Sequence, residues 1–159
     1  MLPATDRATR SNSGRLYRLP LAALFVLLML LRASAPAVDD NAVAWCRIND
    51  GPCRTAVQNL IVSLDITPRP VMTMRELSFT VSLLTTAQAP VDAAVSVDLT
   101  MPGMVMGRNT IILKSRSAGR YEGMGVIVRC PSGEKLWRAT IDIRRAGRTV
   151  SVPFLFEVE

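Results

Sequence analysis

The sequence predicts an all-β protein: a seven-stranded antiparallel immunoglobulin-like β-sandwich following an N-terminal signal or anchor helix. Three observations carry that expectation. Beyond residue 59, apolar side chains recur at every second position in seven short runs, the period of a half-buried strand. Clusters of Pro, Gly, Ser and Asn separate the runs. No stretch after the N-terminal segment holds a 3.6-residue period, and short strands punctuated this way read as a sandwich.

The runs follow in order. Leu60, Val62, Leu64 and Ile66 alternate with Ser63 and Asp65; Leu77, Phe79, Val81 and Leu83 alternate with Ser78, Thr80 and Ser82. Val91, Ala93, Val95, Val97 and Leu99 alternate with Asp92, Ser96 and Asp98, which read as a solvated strand face. Ile111 and Leu113 make a shorter strand, and Tyr121 to Val128 one loosened by Gly123 and Gly125, with Met124 placed in the core. Trp137, Ala139, Ile141 and Ile143 form the sixth run, where Trp137 is the expected core tryptophan. Val150 to Val158 closes the chain, with Pro153 marking an edge or a bulge. Arg144, Arg145 and Arg148 around Gly147 read as a solvated turn.

Ahead of the strands, residues 1–18 are polar and basic, Leu19 to Leu31 is uncharged and apolar, and Ala33-Ser34-Ala35 has the form of a cleavage site. This order describes a secretory signal peptide. Thirteen apolar residues at ~1.5 Å each fall short of ~30 Å of hydrocarbon, which favours cleavage; the rival reading is an uncleaved anchor with Arg32 snorkelling and Ala33 to Val38 added to the span. The expected division is 1–35 as signal peptide or membrane anchor, 36–58 as a leader with a cysteine pair, and 59–159 as the sandwich. Either way the sandwich is exported, as a periplasmic protein or one tethered to the membrane.

The full chain carries +6, but five arginines against one aspartate before residue 36 account for +4, leaving +2. With 5% aromatic residues, that remainder offers neither a basic footprint nor a stacking platform for nucleic acid. Histidine is absent, which excludes Ser-His-Asp and Cys-His catalysis and any His-containing zinc or copper site. No nucleophile has a base and no paired carboxylates share a loop, so the chain does not read as an enzyme, and no small-molecule substrate is evident. Export favours disulfides, and Cys46, Cys53 and Cys130 allow three pairings. The turn Asn49-Asp50-Gly51-Pro52 favours Cys46–Cys53 with Cys130 free; the alternative brings the leader up the sandwich to bridge Cys130.

The chemistry concentrates in Met101-Pro102-Gly103-Met104-Val105-Met106-Gly107. Pro-Gly marks a loop, where methionine is out of place as a core filler. Thioether sulfur binds soft metal, above all Cu(I). Alternating strand direction puts this loop at the same end as the one carrying Met72 and Met74 and the one carrying Cys130, with Cys46 and Cys53 entering from the opposite end. Met101, Met104 and Met106 are therefore candidate ligands, with Cys130, Met72 or Met74 completing the set. The competing reading is a methionine lid over the core, serving as a metal-free docking surface.

The run from Ile66-Thr67-Pro68-Arg69-Pro70 through Met74-Arg75-Glu76-Leu77-Ser78-Phe79 to the methionine loop, continued by Gly119-Arg120-Tyr121-Glu122-Gly123 and Trp137, resembles the YtkA-like/FixH-like family. The similarity covers most of residues 59–158. It implies a small exported or membrane-tethered immunoglobulin-like domain linked to copper handling or cytochrome oxidase assembly. It further implies a copper role for Met101, Met104 and Met106 alone, and an envelope or membrane protein as partner. Lacking histidine, the chain suits Cu(I) rather than Cu(II).

Overall fold

Alternation of buried and half-exposed residues along each strand decides which face turns inward, and here it produces a sheet that rolls up around one core. The computed structural model describes residues 43–159; the expected signal or anchor segment and the start of the leader lie outside the described residues. Nine strands follow in chain order: β1 (Ala44–Trp45), β2 (Cys53–Val57), β3 (Leu60–Thr67), β4 (Glu76–Thr85), β5 (Ala94–Thr100), β6 (Thr110–Ser117), β7 (Arg120–Val126), β8 (Leu136–Arg145) and β9 (Arg148–Glu157). Among the described residues there is no helix, and so none long and apolar enough to cross a membrane. The all-β expectation holds.

The finer expectation needs correction. The strands form one sheet in the order β1-β9-β8-β5-β6-β7-β4-β3-β2, nearly closed into a barrel, rather than a seven-stranded antiparallel immunoglobulin-like sandwich. Two strands come from the segment expected to be a leader, and β1 runs parallel to β9. One strand also serves both halves of the roll. The first part of β6 pairs with β5 through Thr110 to Leu113, and its second part pairs with β7 through Lys114 to Ser117, with a register shift at Ser115/Ser117. A bulge of this kind bends and twists a strand, letting one sheet curl where a sandwich would need two.

The inward positions are filled by one apolar cluster containing Trp137, Phe79, Phe154 and Phe156, all fully buried. Each such side chain contributes about 1.5–3 kcal/mol through burial. Inward positions on β7 are held by Tyr121, Gly123, Gly125 and, just past its end, Ile127, so Met124 points outward and is 54% exposed instead of joining the core. At Gly125 a Cβ would collide with Ile111 of β6, which fills the space the glycine leaves. Tyr121 is buried, and its hydroxyl donates to Val91 O and accepts from the Ala93 N–H, both at 2.8 Å, pinning the link from β4 to β5. Pro153 is not on the outermost strand, but β1 covers only Phe154 and Leu155, so the outer side of β9 has no strand partner at the proline among the described residues.

Cys46 and Cys53 form a disulfide with Cα atoms 5.6 Å apart, and Cys130 is free. The bond joins the end of β1 to the start of β2, the two outermost strands, so it fastens the sheet's edges together at one point.

Candidate metal centre

Three long loops, 68–75, 101–109 and 127–135, lie at one end of the barrel, where strand direction places them. Two of them are built on turns with proline in second place, the positive-φ glycine standing third in one and fourth in the other. Met101-Pro102-Gly103-Met104 closes through the Met104 N–H donating to Met101 O at 3.2 Å, with Gly103 at φ 77°. Proline second and a positive-φ glycine third are the residues a type II turn requires. Cys130-Pro131-Ser132-Gly133 closes likewise, the Gly133 N–H donating to Cys130 O at 3.1 Å. The turns thus present Met104 at the end of one and Cys130 at the start of the other, and their sulfurs lie 3.9 Å apart.

The thiol is held on its other side by Ser132, whose Oγ is 2.9 Å from Cys130 Sγ. With the serine hydroxyl donating, the S–H is left to point at Met104 Sδ. The side-chain hydrogen bond from Ser132 is the main reason the thiol pKa lies below its ordinary value, followed by the Ser132 backbone. Burial opposes the shift; the Glu134 backbone adds to it and the Glu134 charge works against it. Cys130 is 5% exposed, but a cleft of about 210 Å³ that it lines with Thr73, Arg129 and Lys135 leads to it. Met104 is 40% exposed and Val105 stands fully in solvent.

The other expected ligands take different positions. Met101 is 3% exposed and belongs to the core cluster, so its side chain serves as packing in this arrangement. Met106 is half-buried and packs against that cluster. Met74 is exposed at φ 58°, and its N–H donates to Ile127 O at 2.8 Å, tying loop 68–75 to the strand that leads to Cys130. Met72 is half-buried in the same loop. Strand alternation and turn composition do not single out Ser132; a hydroxyl two residues after a cysteine across proline is the available signal.

The cysteine pair does not enter from the opposite end, contrary to expectation. Arg69 Nε donates to Ile48 O at 2.8 Å and the Val71 N–H donates to Asn49 Oδ1 at 2.7 Å, so the turn between Cys46 and Cys53 sits against loop 68–75. The leader climbs the barrel, as the alternative reading had it, yet its cysteines pair with each other. Among the described residues no three His, Cys, Asp or Glu side chains gather as a metal-binding group.

No known protein family matches the chain, and no curated protein matches it. Among solved structures it is similar to a DUF4785 family protein from Legionella pneumophila, with 11% identity, a TM-score of 0.48, and coverage of 64% of this chain. The match spans 29% of that protein's length.

Proposed function

We propose that this is an exported or membrane-tethered protein that binds Cu(I) through Cys130 and Met104 and passes the ion to an envelope partner, as in copper delivery for oxidase assembly. The observation that carries the reading is the 3.9 Å separation of the two sulfurs. Two sulfur ligands at ~2.3 Å from one ion, at angles between tetrahedral and trigonal, stand ~3.8–4.0 Å apart. The donor set is soft, as Cu(I) prefers, and the lowered thiol pKa eases the deprotonation that metal ligation requires. Met74 or Met106 would complete the coordination after a side-chain rearrangement. Partial exposure of Met104 beside the cleft gives an acceptor protein a sulfur to approach. The resemblance of the methionine loop to the YtkA-like/FixH-like family points the same way.

The test is titration with Cu(I) under ascorbate against a competing chelator, with the Cys46–Cys53 disulfide intact. One ion per chain is expected, with affinity falling about a hundredfold in Cys130→Ser and about tenfold in Met104→Ala, since a thiolate outranks a thioether as ligand. Affinity should also fall about tenfold per pH unit below the thiol pKa, because binding displaces one proton. Micromolar or weaker binding, unchanged in Cys130→Ser, would defeat the reading.

One observation favours a second, metal-free reading as an interaction module. Met74, Met104, Val105, Ile112, Met124, Val126 and Val128 are all exposed on this loop end or on the adjoining outward face of β6 and β7. An adaptable apolar surface of this kind suits docking to another envelope protein. Partner capture that persists with copper chelated, and is lost in Val105→Asp, would support it over the first.

A further inference from the structure

The outward face of β5 and β8 carries a hollow of about 500 Å³, remote in kind from the sulfur site because its lining is wholly polar. Cross-strand pairing lays out its floor: Thr100 opposite Arg138, Asp98 opposite Thr140, and Ser96 opposite Asp142. Ser96 is 2% exposed at the bottom. Two carboxylates and several guanidinium groups line the same space, yet they do not neutralise one another. Asp98 Oδ1 accepts from the Thr110 hydroxyl at 2.8 Å, and Asp142 Oδ1 accepts from the Ser151 hydroxyl at 2.6 Å. The ion pairs among the described residues are Arg47–Asp50, Arg69–Asp65 and Arg116–Glu122, all elsewhere. Arg138 Nε is buried with no acceptor at all.

Arg138 is half-buried and in no ion pair among the described residues, so the outer N–H groups of its guanidinium are unclaimed by a carboxylate and their fork suits a planar two-oxygen partner. Neighbouring carboxylates, each with one oxygen already engaged by a hydroxyl, retain acceptor capacity for a ligand's O–H groups. No aromatic ring lines the hollow, so a stacked base or sugar face has no platform. We propose that this hollow binds a small hydroxylated molecule bearing one phosphate or carboxylate group. Arg138 and Arg108 hold the acidic group at one end, and Asp98 and Asp142 accept from its hydroxyls. A bare oxyanion meets the charge of Asp98 without the compensating hydroxyl contacts, and a neutral polyol leaves Arg138 unpaired.

The experiment is titration of the full chain with glycerol 3-phosphate, glycerate, glycerol and inorganic phosphate, followed by calorimetry and by amide shifts in β5 and β8. At least one of the two acids should saturate below about 10 mM, an affinity of a few kcal/mol, and which one does identifies the acidic group. Glycerol should not saturate, and phosphate should bind about tenfold more weakly than the better acid. Arg138→Gln should lose at least about tenfold in affinity, Arg108→Gln should lose less, and Arg116→Gln, outside the hollow, should change nothing. Should Arg138→Gln fail to fold, the exposed Arg108 supplies the decisive variant. Failure of both acids to saturate, equal binding of glycerol, or unaltered affinity in both hollow variants overturns the proposal. Copper binding plays no part in any of these readouts.

Discussion

At one end of the barrel three connections are two-residue hairpins, Gln58–Asn59, Ala118–Gly119 and Ala146–Gly147; at the other, loops 68–75, 101–109 and 127–135 carry the sulfur atoms. The tight end is held in unusual backbone conformations: Gln58, Gly119, Ala146 and Gly147 all have positive φ. Positive φ at the first turn residue, as at Gln58 and Ala146, matches the right-handed twist of the flanking strands and so fixes their register. The longer link at that end, between β4 and β5, is pinned by Tyr121 and by the Val91 N–H donating to Leu83 O at 3.1 Å. The loop end also holds positive φ, at Met74, Gly103 and Gly133, but inside long loops braced by proline and by contacts among the loops themselves, so strand register does not hang on those residues. One end therefore sets the pairing of strands, and the other is free to carry chemistry.

Changing the size of a glycine at each end gives the sharpest contrast. A Cβ on Gly119, at φ 70°, would lie 2.6 Å from Leu83 O, whereas Gly107 has nothing within 4 Å. Gly119→Val should cost more than about 3 kcal/mol or prevent folding, and Gly107→Val less than about 0.5 kcal/mol, read from chemical denaturation. Equal costs would erase the distinction. Next in size, Cys46→Ser with Cys53→Ser should lower stability by about 2–3 kcal/mol, the range for a short covalent loop, showing that the loop end depends on a covalent tie where the other end depends on turns.

A smaller effect is expected at Ser132. The Cys130 thiol pKa is lower in the folded chain than unfolded, so this group adds stability as pH rises from the folded value, reaching its full effect above the unfolded one. That contribution is lost as pH falls through the folded value. In Ser132→Ala the thiolate absorbance at 240 nm should appear at higher pH, and the gain in stability on going alkaline should shrink. An unmoved titration would mean the hydroxyl does not tune the thiol. Smallest of all, Ala146→Gly should raise stability by about 0.5 kcal/mol by relieving a left-handed alanine at φ 48°, visible as a small rise in Tm.

Much of this arrangement was legible in the chain. The seven later strands follow directly from two-residue alternation, and strand parity brings the loops of Met104 and Cys130 together. β1 and β2 were illegible for physical reasons. β1 is two residues long, and β2 reads Cys-Arg-Thr-Ala-Val, too polar to announce itself. Their existence depends on the free edges of β9 and β3, which are tertiary facts. The second half of β6, Lys114 to Ser117, also lacks apolar alternation because it sits where the sheet turns from one half to the other. Met124 was misplaced because Gly123 and Gly125 occupy the inward positions without looking apolar. For the candidate site, methionine count overstated the ligand set: Met101 ends strand β5's inward row, and alternation from Val95, Val97 and Leu99 carries it into the core.

The bond between Cys46 and Cys53 also bears on how molecules of this chain treat each other. With it intact, the rims of β1 and β2 are tied at one point, which limits how far either can swing open toward a neighbour. Under reducing conditions each rim becomes a template with unspent amide and carbonyl groups, onto which a second chain can add strand by strand. Thiol reductants should therefore lead to polymers as well as to softer monomers, and the tendency should grow with protein concentration.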